Sequence, residues 1–407
     1  MKIAVWHNLP SGGAKRVLYY QVRGLKERGH QLSCWSLETA DHSYLPLTDF
    51  VSERIVPLES NHRPKKLRER WTSSYNEAVH RMRSFDDACR QCAREIEAGN
   101  FDLLFANGAL DYNVPYILRH LRMKKVLYLQ EPCRYLYEAR PLLPWVTNSP
   151  DNLEISLFEP RKMLASYPNL ETLRVRAKQE WLNAHACDYL LVNSYFSRES
   201  IVRCYGIDAK VCYLGVDTKL FRDLGIERER FIVGLGSFDP IKGIDLAVRA
   251  VSLLDEPRPP LVWIANSGNQ DYEKTICELA HSLGVDLRIH FALSDLELVA
   301  VLNKATLLLY TSRLEPFGLA PLEANACGLP VVGIAEGGIR ETVQHGLNGF
   351  LVDPDAKSIA AAVSRLIDDP ALARRMGDQA KTHVERQWNV EQSIDRLEAL
   401  LLEVIHQ

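Results

Sequence analysis

Residues 2–36 read KIAVWHNLPSGGAKRVLYYQVRGLKERGHQLSCWS, and the pattern of this segment predicts the class of fold. An apolar run, Lys2–Trp6, is followed by the breaker-rich segment Asn8–Gly13, which is typical of a strand that ends in a glycine loop. Apolar residues then recur at helical spacing up to Gly29, a residue type that commonly ends helices. Gln31–Ser36 predicts the next strand, so the opening is a right-handed βαβ unit of a parallel sheet.

The same alternation continues along the chain and predicts two successive α/β arrays. Each array of about 200 residues has the size of a Rossmann-like domain. We therefore expect a first domain at 1–205, a second at 206–385, and a C-terminal helix at 386–407 that packs back on the first domain. The later predicted strands are Leu103–Ala106, Val126–Leu129, Tyr189–Val192, Val211–Leu214, Phe231–Leu235, Leu261–Ala265, Arg288–Phe291, Thr306–Tyr310, Pro330–Ile334 and Gly349–Leu351. The later predicted helices are Ile244–Leu254, Thr275–Leu283 and Val390–Ile405.

Composition excludes several classes of protein. The chain has 407 residues, of which 46% are hydrophobic and 25% charged, so neither a disordered nor a fibrous protein is expected. Nine scattered cysteines indicate a reduced, cytoplasmic protein and not a disulfide framework. No apolar run approaches the ~20 residues that cross a bilayer.

Charge is distributed unevenly between the two halves. Residues 1–205 hold 29 Lys and Arg against 23 Asp and Glu, and residues 206–407 hold 20 against 29. The acidic second half argues against a continuous basic groove for nucleic acid. The basic first half fits attraction to an anionic partner, or equally an ordinary variation among solvated faces.

The segment 62–71 is the strongest candidate for membrane contact. It carries five basic residues against one acidic residue and ends at Trp71. Such a segment can lie on the anionic inner face of a membrane. A solvated helix beside a loop is the alternative, and both interpretations remain open at this point.

Several familiar motifs are absent or incomplete. The chain contains neither a P-loop nor a Gly-x-Ser-x-Gly elbow. Gly234–Asp239 begins like a dinucleotide-binding loop, but Asp239 stands at the third glycine position. Cys89 and Cys92 have redox or zinc spacing without a second pair, so we expect them to face a core. Asp353–Asp355 fits a turn better than a metal site, and we expect no metal.

The stretch Ser312–Val332 carries the chemistry. A predicted strand breaks there into a loop, and a helix begins near Gly318, which would present free backbone N–H groups to an anion. Glu315 and Glu323 are eight residues apart, close to two turns of ~3.6 residues. Two carboxylates so placed could hydrogen-bond separate sets of sugar hydroxyls. Solvent-facing glutamates at a helix start are the alternative.

These residues resemble the E-x₇-E signature of the retaining glycosyltransferases of family 4, which have the two-domain GT-B fold. Other segments resemble family elements in the same order along nearly the whole chain. They are Asn8–Gly13, Gly29-His30, Asn193-Ser194, Gly215-Val216-Asp217 with Phe221, Gly236 through Lys242-Gly243, Glu336-Gly337-Gly338 with Glu341, and Gly346 with Gly349-Phe350-Leu351.

The resemblance implies roles for individual residues. Glu323 would bind the ribose of the nucleotide, and Glu315 would hold the transferred sugar at the reacting carbon. Lys242 would neutralise the diphosphate, so Glu315 and Lys242 are the predicted catalytic residues. The other predicted donor-binding residues are Ser237, Phe317, Gly318, Leu319, Gly12 and Gly13.

Two departures from the family pattern concern charge. Ser237 stands where the family usually has arginine, so one cation on the diphosphate is missing. Gln130-Glu131 stands where many members have histidine, within a segment that resembles an element of some mannosyltransferases. Glu131 is the one candidate for a carboxylate nucleophile. The predicted acceptor-side residues, some of which could supply the missing charge, are Lys15, Arg16, Asn107, Gln130, Glu131 and Arg134.

The resemblance implies a metal-independent hexosyltransferase that uses a UDP- or GDP-linked sugar, needs no cofactor and acts on a hydroxyl acceptor. The acceptor could be a polysaccharide, a lipid-linked glycan or a small metabolite. A catalytically silent sugar-nucleotide-binding partner of another transferase and a sugar-nucleotide epimerase are the alternatives. We expect a cytoplasmic protein, with contact to the membrane through 62–71 as an open option.

Overall fold

The computed structural model describes residues 1–58, 73–110, 112–137 and 160–406. The chain divides into two compact units. The first unit comprises Met1–Asn193, Ser197–Cys212 and Arg396–Gln407, and the second comprises Ser194–Phe196 and Tyr213–Asp395. The basic segment 62–71, predicted to contact a membrane, lies outside the described residues. No helix in the described ranges combines the length and the apolar character that a membrane span requires.

The first unit is built on a seven-stranded parallel sheet. Its strand order is β3-β2-β1-β4-β5-β6-β7, so the chain runs outward in one direction from β1 and then returns to extend the sheet on the other side. The strands are β1 Lys2–Asn8, β2 Gln31–Leu37, β3 Ser52–Val56, β4 Leu103–Ala109, β5 Lys124–Tyr128, β6 Tyr189–Val192 and β7 Lys210–Val211.

Helices cover the faces of this sheet. The first of them begins directly after Gly12, and it buries Val17, Leu18, Val22 and Leu25. Burial of such aliphatic side chains contributes about 1.5–3 kcal/mol each. The helices in this part of the chain are α1 Gly13–Glu27, α2 Ser73–Glu97, α3 Arg134–Tyr137, α4 Pro160–Ala184 and α5 Tyr195–Tyr205, and short 3₁₀ turns lie at Leu47–Asp49 and Tyr116–Arg119.

The second unit is built on a six-stranded parallel sheet with the order β10-β9-β8-β11-β12-β13. Its first strand, β8, therefore lies in the middle, and the direction of chain progression reverses between β8 and β11. The strands are β8 Ile232–Leu235, β9 Leu261–Ala265, β10 Leu287–Phe291, β11 Leu307–Tyr310, β12 Val331–Ile334 and β13 Gly349–Val352.

Polar side chains cap the starts of several helices in the second unit. Asn269 accepts hydrogen bonds from two backbone N–H groups, Ser294 forms a capping box with Glu297, and Asp355 accepts from Lys357 and Ser358. The helices are α6 Ile244–Ser252, α7 Gln270–Ser282, α8 Asp295–Lys304, α9 Leu319–Ala326, α10 Ile339–Thr342, α11 Ala356–Asp368, α12 Pro370–Gln387 and α13 Val390–His406, and a 3₁₀ turn lies at Pro240–Lys242.

The predicted α/β class with two Rossmann-like arrays is confirmed. The strand β3 (Ser52–Val56) has no counterpart among the predicted strands, since it is a largely exposed strand at the end of the sheet. Helix α7 begins at Gln270, five residues before the predicted start, because Asn269 caps it. The Cys89 and Cys92 side chains are buried in α2, as the i, i+3 spacing predicted.

Candidate active site

Two loops of the second unit meet where the neighbouring strands β8 and β11 end. The loop after β8 contains the 3₁₀ turn Pro240–Lys242, and the loop after β11 leads to helix α9. The Arg313 N–H donates to the Ile241 carbonyl at 3.0 Å, and the Thr311 hydroxyl donates to the Lys242 carbonyl at 2.9 Å. Ligands of open α/β sheets bind at such a switch point, outside the carboxyl ends of the strands.

Lys242 and Glu315 form an ion pair at this point. The Lys242 Nζ lies 2.8 Å from Glu315 Oε2, and the Ser312 hydroxyl donates to the same oxygen at 2.7 Å. Burial raises the pKa of Glu315, but the Lys242 charge and hydrogen bonds from Lys242, Ser312 and Tyr310 outweigh it and lower the pKa to about 2. Glu315 is therefore a carboxylate at any physiological pH.

The loop after β8 positions Lys242 through backbone turns. Asp239, which replaces the third glycine of a dinucleotide loop, accepts from the Ile241 N–H at 3.1 Å and so caps the 3₁₀ turn. The aliphatic stem of Lys242 packs over Gly236, where an added Cβ would lie 3.2 Å from the stem. Ser237, the departure from the family arginine, accepts the Asp239 N–H through its carbonyl at 2.9 Å.

The loop after β11 ends in an uncapped helix start. Gly318 has φ +102° and precedes α9 without any side-chain cap, so the first N–H groups of the helix are left for a ligand or for water. Phe317 is buried, and Leu319 is half-buried. Free N–H groups and the positive end of the helix dipole together favour an anion at this position.

Glu323 lies on α9 and is buried, with 7% of its surface exposed. Burial is the main cause that raises the pKa of the Tyr310 phenol. The charges of Glu315 and Glu323 raise the same pKa further. The two carboxylates of the E-x₇-E spacing are therefore both close to the end of β11.

Predicted residues of the first unit lie where β1, β4 and β5 end side by side. Gly12 immediately precedes α1 with φ +132°, and Gly13 is the first residue of that helix. Asn107 on β4 is buried, and no acceptor among the described residues bonds its amide nitrogen. Gln130 follows β5, and its carbonyl accepts the Ser197 hydroxyl at 2.8 Å.

Glu131 and Arg134 flank the start of α3. The Arg134 guanidinium lies 3.8 Å from the Glu131 carboxylate. The glutamate that is the candidate nucleophile thus has a cationic neighbour.

Lys15 and Arg16 are both buried on α1. Lys15 is fully buried, its charged neighbours include Glu53 and Asp41, and burial lowers its pKa. The Arg16 guanidinium lies 5.8 Å from the centre of the Tyr44 ring. The structure therefore places the Lys15 ammonium inside the first unit and away from solvent.

Two family models match this chain, and together they cover most of its length. The model for Glycosyltransferase Family 4 matches residues 11–220, and the model for Glycosyl transferases group 1 matches residues 216–383. The chain belongs to glycosyltransferase family 4. The resemblance inferred from the E-x₇-E stretch and the ordered motifs is confirmed at the family level.

Curated relatives of this chain are about 30% identical to it over about half of their length. It is 29% identical over 201 residues to the N-acetyl-alpha-D-glucosaminyl L-malate synthase of Bacillus anthracis, covering 49% of this chain and 52% of that protein. It is 33% identical over 225 residues to the D-inositol 3-phosphate glycosyltransferase of Acidothermus cellulolyticus, covering 49% and 50%. The chain thus spans about half the length of the curated relatives it matches.

Solved structures resemble this chain over its whole length. Anabaena HepE in complex with UDP and glucose matches with a TM-score of 0.71 at 18% identity, covering 99% of this chain and 100% of that one. Sucrose-phosphate synthase from Thermosynechococcus elongatus matches with a TM-score of 0.70 at 19% identity, covering 100% and 99%. These similarities confirm the predicted GT-B fold.

One cluster in the first unit has the composition of a metal site. His7, Cys34 and Glu53 offer ligand atoms within 4.8 Å of one another. Glu53, however, already accepts hydrogen bonds from His7 at 3.1 Å and Ser36 at 2.7 Å, and burial raises the pKa of the Cys34 thiol well above its usual range. A protonated thiol beside the buried Lys15 ammonium does not suit a cation.

Sequence reasoning did not identify three side chains that hold Glu315 and its loop. Tyr310 and Ser312 hydrogen-bond to Glu315, and Arg313 forms a bidentate pair with Glu336 at 2.8 and 2.9 Å. Their position at the end of an apolar strand or directly after it was the available signal, since residues at strand ends commonly line sites in α/β proteins.

Proposed function

We propose that this glycosyltransferase transfers a hexose from a UDP- or GDP-linked sugar to a hydroxyl group of its acceptor. We further propose that the anomeric configuration is retained and that no metal takes part. The Lys242–Glu315 pair at 2.8 Å, beside the uncapped start of α9, carries this proposal. It places a cation, a carboxylate and backbone N–H groups together, which is what a diphosphate joined to a sugar requires.

The donor would occupy the edge of the second unit. Lys242 is the proposed partner of the diphosphate, and the N–H groups of Phe317, Gly318 and Leu319 are proposed to bind phosphate or sugar oxygens. Glu323 is the proposed ligand of the ribose hydroxyls. Similar structures include HepE in complex with UDP-glucose, which supports a nucleotide-sugar donor.

Departure of a nucleoside diphosphate develops negative charge on the leaving oxygen and positive charge on the sugar ring. Donors fixed before the reaction stabilise such charge most effectively. Lys242 can take the charge of the leaving group. The Glu315 carboxylate, which is ionised before the donor binds because its pKa is about 2, also has hydrogen bonds from Ser312 and Tyr310 and can stabilise the ring. Donor binding would therefore draw the Lys242 ammonium from Glu315 to the diphosphate.

The acceptor is proposed to be an alcohol that contacts residues at the carboxyl edge of the first sheet. Two relatives are named for L-malate and for D-inositol 3-phosphate, both of which are alcohols. Asn107, Gln130, Glu131 and Arg134 are the proposed acceptor-side residues. A polysaccharide, a lipid-linked glycan and a small metabolite all carry the required hydroxyl group.

A donor screen tests the proposal. The wild-type chain is incubated with UDP- and GDP-linked hexoses, with and without a panel of alcohols, and products are followed by chromatography and proton NMR. We expect release of nucleoside diphosphate, slow with water alone and faster with the correct alcohol, and an α-linked product from an α-linked donor.

Each of the other possible results would indicate a different activity. A β-linked product would contradict retention, and interconversion of hexoses without an acceptor would indicate an epimerase. Binding of a nucleotide sugar without any release of nucleoside diphosphate would indicate a silent binding partner.

A further inference from the structure

The loop Glu315–Gly318, called here the donor loop, is held by its carbonyl groups. The Gly338 N–H donates to the Glu315 carbonyl at 2.7 Å. The Ser194 hydroxyl donates to the Pro316 carbonyl at 2.5 Å, and the Thr342 hydroxyl lies 3.5 Å from the Phe317 carbonyl. Three successive carbonyls of the donor loop therefore point toward groups of the second unit that surround it.

These bonds determine where the N–H groups of the loop point. In a planar trans peptide, the carbonyl and the following N–H point in opposite directions. The Ser194 bond to Pro316 thus directs the Phe317 N–H away from Ser194, and the Thr342 contact does the same for the Gly318 N–H. Neither N–H has an acceptor in the described part of the chain. Adjacent free N–H groups with Gly318 at positive φ can form an anion-binding concavity.

Ser194 is itself fixed by a carboxylate. It is fully buried and immediately precedes α5, whose first two N–H groups donate to the two oxygens of Glu341 at 3.0 Å each. The Tyr213 hydroxyl donates to the same carboxylate at 2.8 Å. Glu341 therefore holds the short segment Ser194–Phe196, which belongs to the second unit, at the donor loop, although these residues are far apart in sequence.

The donor loop has little room for another conformation. A Cβ added to Gly338 would lie 2.1 Å from the Pro316 oxygen. On the other side, the Phe317 ring packs against Tyr213 and Trp388, with centroids 6.3 and 5.6 Å apart. Close packing opposes a flip of the peptide groups in this loop, and the Ser194 hydrogen bond further restricts the orientation of the Pro316–Phe317 peptide.

We infer that Ser194 is a positioning residue for the donor site. Through the Pro316 carbonyl it aims the Phe317 N–H, and with it the neighbouring Gly318 N–H, at oxygen atoms of the bound nucleotide sugar. This inference rests on the proposed function. Ser194 does not touch the donor, and its effect is to hold hydrogen-bond donors in place before the substrate arrives.

The test compares Ser194→Ala with Ser194→Thr and with Thr306→Val. Thr306 is the matched control, since its hydroxyl also donates to a backbone carbonyl, that of Glu229 at 2.9 Å, but at the opposite end of β11. Affinity for UDP and GDP, kinetics with the nucleotide sugar that the wild type uses, and thermal unfolding midpoints are measured for each. We expect Ser194→Ala to weaken donor binding about tenfold, Ser194→Thr to retain most of it, and Thr306→Val to match the wild type.

A second variant covers the case in which Ser194→Ala does not fold. Glu341→Gln keeps the size of the side chain but leaves one carbonyl oxygen for the two N–H groups of α5. We expect a smaller loss of donor affinity, in a protein that still unfolds cooperatively but at a lower midpoint than Thr306→Val.

Comparing UDP or GDP with the intact nucleotide sugar shows whether these N–H groups bind the diphosphate or the transferred sugar. Weaker binding of UDP or GDP alone would assign the N–H groups to the diphosphate, and a loss confined to the intact nucleotide sugar would assign them to the transferred sugar. Wild-type affinity for both in folded Ser194→Ala overturns the inference. Failure of the wild-type chain to bind any of these nucleotides would contradict the proposed function itself, and the inference with it.

Discussion

Glu315 is held by more partners than its position in a motif requires. It accepts from Lys242 at 2.8 Å and from Ser312 at 2.7 Å, and the Tyr310 phenol also bonds to it. A carboxylate with several donors loses little freedom when a ligand arrives, because its orientation is already set. The ion pair with Glu315 also compensates the charge of Lys242 until a diphosphate competes for the ammonium group.

The first prediction concerns Lys242→Ala. A charge-assisted hydrogen bond to phosphate contributes about 1.5–3 kcal/mol, so kcat/KM should fall about 10- to 100-fold or more. Steady-state kinetics with the preferred nucleotide sugar measure this loss. Lys304→Ala is the control, since it removes an exposed ion pair with Glu229 in the same unit and should keep wild-type kinetics. Unchanged kinetics in Lys242→Ala would show that the loop after β8 does not bind the diphosphate.

The second prediction separates the two glutamates. Glu323 is proposed to hold the ribose, whose contacts are alike in the ground and transition states, so Glu323→Ala should mainly raise the donor KM. Glu315 is proposed to face the sugar ring, which gains positive charge in the transition state, so Glu315→Gln should mainly lower kcat. Kinetics and thermal midpoints with and without UDP or GDP are compared. Equal losses of kcat and stability in both variants, with no difference in KM, would indicate purely structural glutamates.

At the scale of elements, the face of the first sheet that α1 covers carries a buried polar cluster. His7 on β1 lies 3.1 Å from Glu53 on β3, and its other ring nitrogen is 3.4 Å from the Leu9 N–H. The histidine thus connects an edge strand to the loop that leads into α1. Burial is the largest cause of the shift and lowers the pKa of His7 to about 4. The hydrogen bond with Glu53 raises the pKa, but by less than burial lowers it.

The third prediction is a loss of stability in weak acid. The unfolded chain binds a proton at His7 near pH 6.5, whereas the folded chain binds it only near pH 4. The contribution of His7 is therefore complete above pH 6.5 and is lost as the pH falls toward 4, at about 1.4 kcal/mol per pH unit. The free energy of unfolding should fall by about 2 kcal/mol between pH 7 and pH 5 from this residue.

Urea unfolding of the wild type and His7→Gln at pH 7 and pH 5 measures this effect. Glutamine keeps an N–H donor for Glu53 but does not titrate, so the variant should be less sensitive to acid. Glu53 does not interfere, because its pKa is lowered to about 2 and its own contribution is lost only below pH 4.5. An identical pH dependence in both proteins would contradict the assignment.

Some strands could be predicted from the sequence and others could not. Buried strands such as β9 (Leu261–Ala265) are short apolar runs, and their predicted bounds coincide with the observed ones. The strand β3 (Ser52–Val56) was missed because an edge strand exposes most of its residues and carries charges there, so neither an apolar run nor a clean alternation marks it. Pairing with β2 (Gln31–Leu37), and not local propensity, makes it a strand.

At the scale of the whole molecule, the fourth prediction is full activity without a divalent metal. Lys242 and the start of α9 provide the positive charge that a diphosphate leaving group needs, and the wild-type rate should therefore persist in excess EDTA. Turnover is measured before and after extensive treatment with the chelator. A large loss of activity in EDTA that is reversed by adding Mg²⁺ or Mn²⁺ would contradict this prediction.

Residue patterns along the chain were sufficient to predict the class of fold, the order of most strands and helices, the E-x₇-E spacing and the family. These features are local: an apolar run, a glycine loop or a helical period is written in neighbouring residues. Which groups come into contact became known from the three-dimensional structure. Ser194 bonds to Pro316 across 122 positions, Lys242 pairs with Glu315 across 73, and Lys15 is buried beside Glu53. Such contacts depend on which strands lie side by side, and no residue pattern along one segment contains that information.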